Sequence, residues 1–178
     1  MNEESLRCST EMLQAALELE ERGRAFYDRA RQSCRNPECR EIFTALMKEE
    51  ILHQSRIRKI YDDLTRDRCW SRDREEPGEV RERLETLFRL WRPQGKKDIN
   101  PEATDLEAVD TGLALEEASI SFYEASRQRA EDPLEAAFLD RMIQEERGHL
   151  KALKDIRYYL TDPQGWFMEK EKAGLDGA

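Results

Sequence analysis

Residues 17–30, LELEERGRAFYDRA, recur in related form as LALEEASISFYEAS at residues 113–126. The stretch MKEEILH at residues 47–53 recurs as IQEERGH at residues 143–149, with the same shift of 96 positions and no gap. Each half of the chain therefore carries two linked segments that match those of the other half. A repeated two-helix unit, in which each copy buries one face against the other, predicts a pseudo-twofold four-helix bundle.

Apolar residues recur at helical spacing in four long stretches of the chain. These stretches are residues 9–33, 38–65, 103–130 and 134–161. Asn36-Pro37 and Asp132-Pro133 separate the members of each pair, because proline disfavours helix before it and is tolerated in a first helical turn. Only 8 glycines and 6 prolines occur in 178 residues, which argues against a turn-rich β fold. We predict an all-α single domain, 1–178, built from hairpins 9–65 and 103–161.

A charged segment, residues 66–102, joins the two hairpins, and we predict it to be a long crossover. Apolar residues from Val80 to Trp91 follow helical spacing, so a short amphipathic helix is predicted there, with a solvated spacer as the alternative. Residues 162–178 are predicted to be a C-terminal tail. The predicted short helix and the Trp166-Phe167 pair are candidate dimer surfaces, or alternatively caps on the bundle ends, and we expect a homodimer.

The charge balance narrows the classes of partner. Thirty basic and 39 acidic side chains give a net charge of −9, which repels phosphate backbones and anionic lipid surfaces. We therefore expect no nucleic-acid partner. No stretch has the roughly 20 consecutive apolar residues of a membrane span, and the acidic N-terminus differs from a secretory signal. We expect no membrane partner and a cytoplasmic location.

The four cysteines are Cys8, Cys34, Cys39 and Cys69, and none forms a C-x-x-C pair. A zinc ribbon or a rubredoxin-type iron site cannot be built from this spacing. We predict free thiols, with a Cys34–Cys39 disulfide as the alternative.

Glutamate and histidine occupy predicted core positions in the heptad pattern, where apolar side chains are expected. The six residues that meet at one level of the bundle are Glu20, Glu50, His53, Glu116, Glu146 and His149. Buried carboxylates need counter-charges, and no lysine or arginine occupies these heptad positions. Two divalent cations would balance the four carboxylates.

The spacing of the donors also favours metal. Glu-x-x-His places both donors on one face of a helix. One Glu from each of two helices, combined with Glu-x-x-His from the other two, is typical of di-iron and di-manganese bundles. The chain has only two histidines, and both have glutamate three residues before them. The alternative is that the buried acids merely specify helix register.

Two further residue pairs lie near these donors. Tyr27 and Tyr123 follow the first glutamate of each half by two helical turns, so their hydroxyls are predicted to donate hydrogen bonds to ligating carboxylates. The alternative is a core aromatic whose hydroxyl is satisfied elsewhere. Glu49 and Glu145 fall one step outside the heptad core and are predicted to be surface groups or outer groups behind the ligands.

The four quoted stretches resemble the rubrerythrin branch of the ferritin-like superfamily, across residues 9–161 without the crossover. The tail also resembles the closing segment of small rubrerythrin-like proteins. The resemblance implies a ferritin-like fold and two iron ions that reduce peroxide or activate O2. The ligands it implies are Glu20, Glu50, His53, Glu116, Glu146 and His149.

Two features depart from that family pattern. Typical rubrerythrins carry one more glutamate three residues after the first ligand of the third helix, where this chain has Ser119. The remaining six-ligand set is symmetric, as in bacterioferritin sites. Rubrerythrins also often append a rubredoxin domain, which these cysteines cannot supply, so the electrons are expected from an external donor protein.

The sequence therefore predicts a non-haem di-iron oxidoreductase that reduces peroxide or O2. A ferroxidase or iron-handling protein would use the same ligands with Fe2+ as substrate, and a non-enzymatic metal-binding bundle would show no redox change. A manganese catalase is a further alternative, so manganese or a mixed metal pair remains open.

Overall fold

The computed structural model describes residues 2–71 and 103–175 of the chain, and these residues form five helices and no strand. The helices are α1 (Glu3–Ser33), α2 (Pro37–Asp67), α3 (Ala103–Arg127), α4 (Pro133–Thr161) and α5 (Pro163–Leu175). Four long helices match the four predicted stretches, and the all-α prediction is confirmed. The predicted short helix from Val80 to Trp91 lies outside the described residues.

Polar side chains begin the helices where the sequence predicted breaks. Asn36 accepts a hydrogen bond from the backbone N–H of Cys39 at 3.0 Å, with Pro37 in the first turn of α2. Asp132 accepts one from Leu134 at 2.8 Å, with Pro133 in the first turn of α4. These caps satisfy amide groups that a helix leaves unpaired, and the proline prevents the preceding helix from continuing.

Each short turn produces an antiparallel helix hairpin, α1 with α2 and α3 with α4. Between the hairpins, α1 packs on α3 and α2 packs on α4. Two apolar clusters fill the interior. One contains Tyr27, Phe43, Leu46, Val109, Leu153 and Ile156, and the other contains Leu13, Ile57, Ile60, Tyr123, Leu139 and Met142. Members of one cluster are repeat equivalents of members of the other, so the twofold repeat of the sequence is visible in the core.

Three predicted boundaries are corrected by the structure. Helix α1 begins at Glu3 instead of residue 9, because the Asn2 side chain accepts a hydrogen bond from Ser5 N at 2.7 Å. Helix α3 ends at Arg127 instead of residue 130. The predicted tail contains helix α5, which begins after Asp162, whose side chain accepts a hydrogen bond from Gly165 N at 2.9 Å.

Helix α5 covers one end of the hairpins. The Trp166 ring is buried and lies edge-on to Tyr159, with their ring centroids 5.5 Å apart. Trp166 therefore caps the bundle interior, which was one of the two predicted alternatives. All four cysteines are free, as predicted, with Cys34 and Cys39 buried beside the α1–α2 turn. Over the described residues, no helix has the length and apolar character needed to cross a membrane.

Candidate metal centre

Six acidic and histidine side chains lie between the two apolar clusters, midway along the four long helices. None of them is more than 4% exposed. Helix α1 supplies Glu20, α2 supplies Glu50 and His53, α3 supplies Glu116, and α4 supplies Glu146 and His149. The structure thus brings together all six residues that the sequence pattern singled out. Their assignment as metal ligands stays a prediction.

The His53 ring is held between carboxylates from two other helices. Its Nδ1 lies 2.9 Å from Glu20 Oε2 and 3.1 Å from Glu146 Oε1. Its Nε2 points away from these groups and lies 2.7 Å from Oε2 of Glu145. One ring nitrogen therefore faces the centre of the acidic cluster, and the other faces an outer carboxylate.

The His149 ring has the corresponding orientation in the second half of the repeat. Its Nδ1 lies 3.2 Å from Glu146 Oε2, 3.7 Å from Glu116 Oε1 and 3.8 Å from Glu50 Oε1. The rings of His149 and His53 are nearly parallel, with centroids 5.3 Å apart. The two imidazoles therefore stand side by side, each with Nδ1 towards the carboxylates.

The donor atoms of these six residues form two groups, each with atoms within 4.8 Å of one another, and a third group of this kind joins Glu49 to His53 and His149. The first group is Glu20, His53 and Glu146, and the second is Glu50, Glu116, Glu146 and His149. Glu146 belongs to both groups, so its carboxylate lies where they adjoin. Its Oε1 is buried and has no hydrogen bond of good geometry among the described residues, which leaves a lone pair available at the centre.

The donor chemistry fits iron or manganese. Carboxylate oxygens suit hard cations, and imidazole nitrogens suit first-row transition metals. A buried cluster of acids is otherwise costly, because each ionised carboxylate loses its hydration. The residues present therefore fit a pair of divalent cations.

The pKa shifts express this crowding of charge. Burial raises the pKa of Glu50 well above its usual range, and the negative charge of Glu20 adds to the effect. Burial and the charge of Glu146 raise the pKa of Glu116 to about 8. Burial alone would lower the pKa of His149, but Glu116 and Glu146 raise it to about 10. In the metal-free chain, protons held by these groups therefore offset the negative charge of the buried carboxylates, as bound metal ions would.

Each hairpin contributes one tyrosine whose hydroxyl contacts a carboxylate of the other hairpin. The Tyr27 hydroxyl donates a hydrogen bond to Glu116 Oε1, and the Tyr123 hydroxyl donates one to Glu20 Oε1. Both rings are fully buried. Burial, together with the facing carboxylate, raises the pKa of each tyrosine well above its usual value, so each phenol remains a hydrogen-bond donor. The predicted contact between tyrosine and a carboxylate is present in both halves.

A second layer of charge lies behind the histidines, and the sequence pattern did not identify its arginines. Glu145 is 2% exposed and lies beside His53, so of its two predicted interpretations the surface group is wrong and the outer group behind a predicted ligand agrees with the structure. Besides His53, it contacts Arg56 Nη1 at 2.7 Å and Arg141 Nε at 3.0 Å. Glu49 is also nearly buried, and its carboxylate lies within 4.8 Å of ring nitrogens of both histidines. The recurrence of Glu-Glu before both histidines was the available signal.

Gly23 lies close to one of the carboxylates. An added Cβ there would be 3.2 Å from Glu50 Cδ. Its repeat equivalent, Ser119, is buried. Neither position carries a further acidic ligand, so the described centre contains the symmetric set of six donors.

Comparison with known proteins identifies the family. A family model described as rubrerythrin matches residues 11–157, which includes most of all four long helices and both Glu-x-x-His segments. No curated protein and no solved structure gives a match to the chain. The family match extends over far more than half of the 178 residues, and the all-α bundle with its buried carboxylate and histidine cluster agrees with it. The chain therefore belongs to the rubrerythrin family of ferritin-like di-iron proteins.

Proposed function

We propose that this protein binds two iron ions between its four long helices and reduces peroxide or O2 with electrons from an external donor protein. The observation that carries the proposal is the placement of four carboxylates and two imidazoles in two donor groups that share Glu146. One residue common to both groups favours a pair of neighbouring ions over two separate sites. Family membership supports iron as the metal.

The residues divide into clear roles. Glu20 and His53 would hold one ion, and Glu50, Glu116 and His149 the other, with Glu146 between them. When bound, the iron pair supplies two electrons by changing between its ferrous and ferric states. The carboxylates favour the higher charge, and the imidazoles keep the lower one accessible. Tyr27 and Tyr123 fix the orientation of Glu116 and Glu20.

The apolar clusters on either side of the centre exclude bulk water, so the substrate is expected to be small. Peroxide and O2 meet that requirement. Reduction of peroxide to water consumes two electrons and two protons.

A ferroxidase is the second candidate function, and one observation favours it. Ser119 stands where typical rubrerythrins carry a seventh donor, so the described centre has the symmetric six-donor set that resembles bacterioferritin sites. In that case Fe2+ would be the substrate and O2 the oxidant.

The test is anaerobic reconstitution with Fe2+ or Mn2+, counting of bound metal, and stopped-flow absorption after mixing with peroxide or with O2. Two metals per chain and faster oxidation by peroxide than by O2 support the first function. Oxidation by O2 with continuing iron uptake supports the ferroxidase. Fewer than two metals per chain, or no redox change with either oxidant, would contradict both.

A matched pair of variants links the result to the site. Glu116→Gln removes the charge of a buried donor, whereas Glu117→Gln changes its exposed neighbour on the same helix. Loss of metal and of oxidation in the first variant alone is the expected result.

A further inference from the structure

The two halves of the repeat differ behind the histidines. Arg56 lies three residues after His53, and its repeat equivalent in the second half is Ala152. Arg141 lies four residues before Glu145, and its repeat equivalent in the first half is Ala45. The six donors follow the twofold repeat, but these two arginines do not.

Both arginines bind the same outer carboxylate. Arg56 Nη1 lies 2.7 Å from Oε2 of Glu145, and Arg141 Nε lies 3.0 Å from Oε1. Arg56 is only 8% exposed, so this ion pair is shielded from water. Because the arginines hold opposite oxygens, the Glu145 carboxylate has little freedom to rotate.

The fixed carboxylate lies directly against the His53 ring. Glu145 Oε2, the oxygen held by Arg56, is also 2.7 Å from Nε2 of His53. With Nε2 beside this oxygen, Nδ1 is on the side of the ring that faces Glu20 and Glu146. A carboxylate behind a histidine fixes the ring and its tautomer, and loss of such a partner typically weakens metal binding by about 10-fold to 100-fold.

We infer that Arg56 is a positioning residue that holds Glu145 against His53 and thereby strengthens metal binding at the His53 position only. This inference rests on the proposed dimetal function. It makes the two metal positions inequivalent although their six donors are related by the repeat. The arrangement around His149 cannot be the same, since alanine occupies both equivalent positions.

The first experiment is an anaerobic Co2+ titration of the full chain, followed by visible absorption and fitted with two binding constants. Arg56→Gln is expected to weaken one constant by about 10-fold and to leave the other within about twofold. Arg56→Lys, which keeps the charge but has one donor group, should fall between Arg56→Gln and the wild type.

The matched controls are Glu145→Gln and its repeat equivalent, Glu49→Gln. If Arg56 acts through Glu145, combining Arg56→Gln with Glu145→Gln should weaken binding no more than Glu145→Gln alone. Glu49 lies near ring nitrogens of both histidines, so Glu49→Gln is expected to weaken both constants, whereas Glu145→Gln should weaken only the constant that Arg56→Gln weakens.

A second measurement remains informative if Arg56→Gln fails to fold. The chain has only two histidines, so labelling with 15N-histidine gives NMR signals from two rings. In the Zn2+-bound protein, Arg56→Lys should accelerate solvent exchange of the Nε2 proton of one ring at least about threefold, without changing the other.

The outcomes separate the two proposals. Two bound Co2+ ions whose constants weaken equally in Arg56→Gln, or do not change, would overturn this inference and leave the proposed function intact. Independent, additive losses from Arg56→Gln and Glu145→Gln would also overturn it. A wild-type chain that binds fewer than two Co2+ ions would overturn the proposed function and this inference together.

Discussion

The hydroxyl of Tyr27 donates a hydrogen bond to Oε1 of Glu116, so a residue of the first hairpin fixes a carboxylate of the second. The equivalent bond joins Tyr123 to Glu20 in the opposite direction. Both bonds lie in the buried region beside the candidate metal centre. The two hairpins therefore share one polar network, and the geometry of each half depends on the other.

Replacement of Tyr27 by phenylalanine should weaken metal binding while keeping the aromatic core. The ring would remain, but Glu116 Oε1 would lose its donor and be free to reorient. We expect about a 10-fold loss of affinity for one metal and roughly 1–2 kcal/mol less stability in the metal-free protein. Competition titration against a chelator and urea unfolding measure the two effects.

Two matched variants control this prediction. Tyr123→Phe, the repeat equivalent, should give losses of similar size. Tyr61→Phe removes a hydroxyl whose only described partner is the exposed Gln14 amide, and it should change neither quantity appreciably. Equal metal affinity in the wild type and Tyr27→Phe would show that the Tyr27 hydroxyl has no role in metal binding and that the residue contributes only to core packing.

Most of the fold and the inner site could be predicted from the repeat. Helix periodicity and the proline breaks located the four long helices, and acidic residues at core positions are rare enough to indicate metal. The structure brings together every one of the six predicted donors, because a heptad position determines which face a side chain occupies. The family match confirms the rubrerythrin resemblance.

The outer contacts and the last helix could not be predicted in the same way. Arg56 lies outside the heptad core, and it reaches Glu145 only through its long side chain, which periodicity does not describe. Helix α5 has no clear apolar stripe, so the sequence pattern did not predict a helix in residues 162–178. Its Trp166 is buried by contact with Tyr159, a tertiary contact that local sequence does not encode.

Substitution of Gly23 by alanine should affect the metal centre more than the stability of the metal-free fold. Alanine is favoured over glycine in a helix by about 0.8–1.0 kcal/mol, which would offset local crowding. The new Cβ would lie 3.2 Å from Glu50 Cδ, so the carboxylate must move by a few tenths of an ångström. We expect roughly threefold to tenfold weaker metal binding, with the thermal midpoint of the chelated protein nearly unchanged.

The equivalent position in the other half supplies the control for Gly23→Ala. Ser119 already carries a Cβ, so Ser119→Ala introduces no new carbon near the carboxylates and should leave metal affinity within about twofold. If Gly23→Ala binds metal as tightly as Ser119→Ala, Glu50 has room to adjust and the close approach has no role in binding.

Truncation of Trp166 to alanine should destabilise the protein without changing its metal content. The ring is 5% exposed and packs on Tyr159 and Phe167. Loss of a buried tryptophan typically costs about 3–5 kcal/mol, and we expect the lower end because α5 lies at the edge of the bundle. Met168→Ala, which changes an exposed side chain two residues away, should have little effect. A Trp166→Ala chain with lower metal stoichiometry would link α5 to the centre instead.

Metal binding should become tighter as pH rises, because protons and metals compete for the same buried groups. Glu116 has a pKa of about 8, and His149 has a pKa of about 10. The pKa values of Glu50 and His53 are also raised well above their usual ranges. Near pH 7 Glu116 and His149 hold protons in the metal-free protein, and the shifts of Glu50 and His53 act in the same direction, so binding of two divalent ions should release at least about two protons. Calorimetric titration in buffers of different ionisation enthalpy counts them.

The same shifts predict how the metal-free fold responds to pH. A group whose pKa is higher in the folded chain stabilises it most at low pH, and the contribution of Glu116 is lost as pH rises through 8. The contribution of His149 is complete below 6.5 and is lost as pH rises through 10. Glu145 and Glu146 have lowered pKa values, so their contributions are complete above pH 4.5 and constant across this window.

The chelated protein should therefore lose stability from pH 6 to pH 8, by roughly 1 kcal/mol per pH unit for each such proton. For a chain of this size the thermal midpoint should fall by at least about 5 °C. The metal-loaded protein should not show this fall, because bound cations replace the protons, and the gap between the two midpoints should widen with pH. Scanning calorimetry at pH 6, 7 and 8, with and without chelator, measures that gap. A midpoint that rises with pH in the chelated protein, with no proton release on metal binding, would mean that protons do not neutralise the buried carboxylates of the metal-free protein.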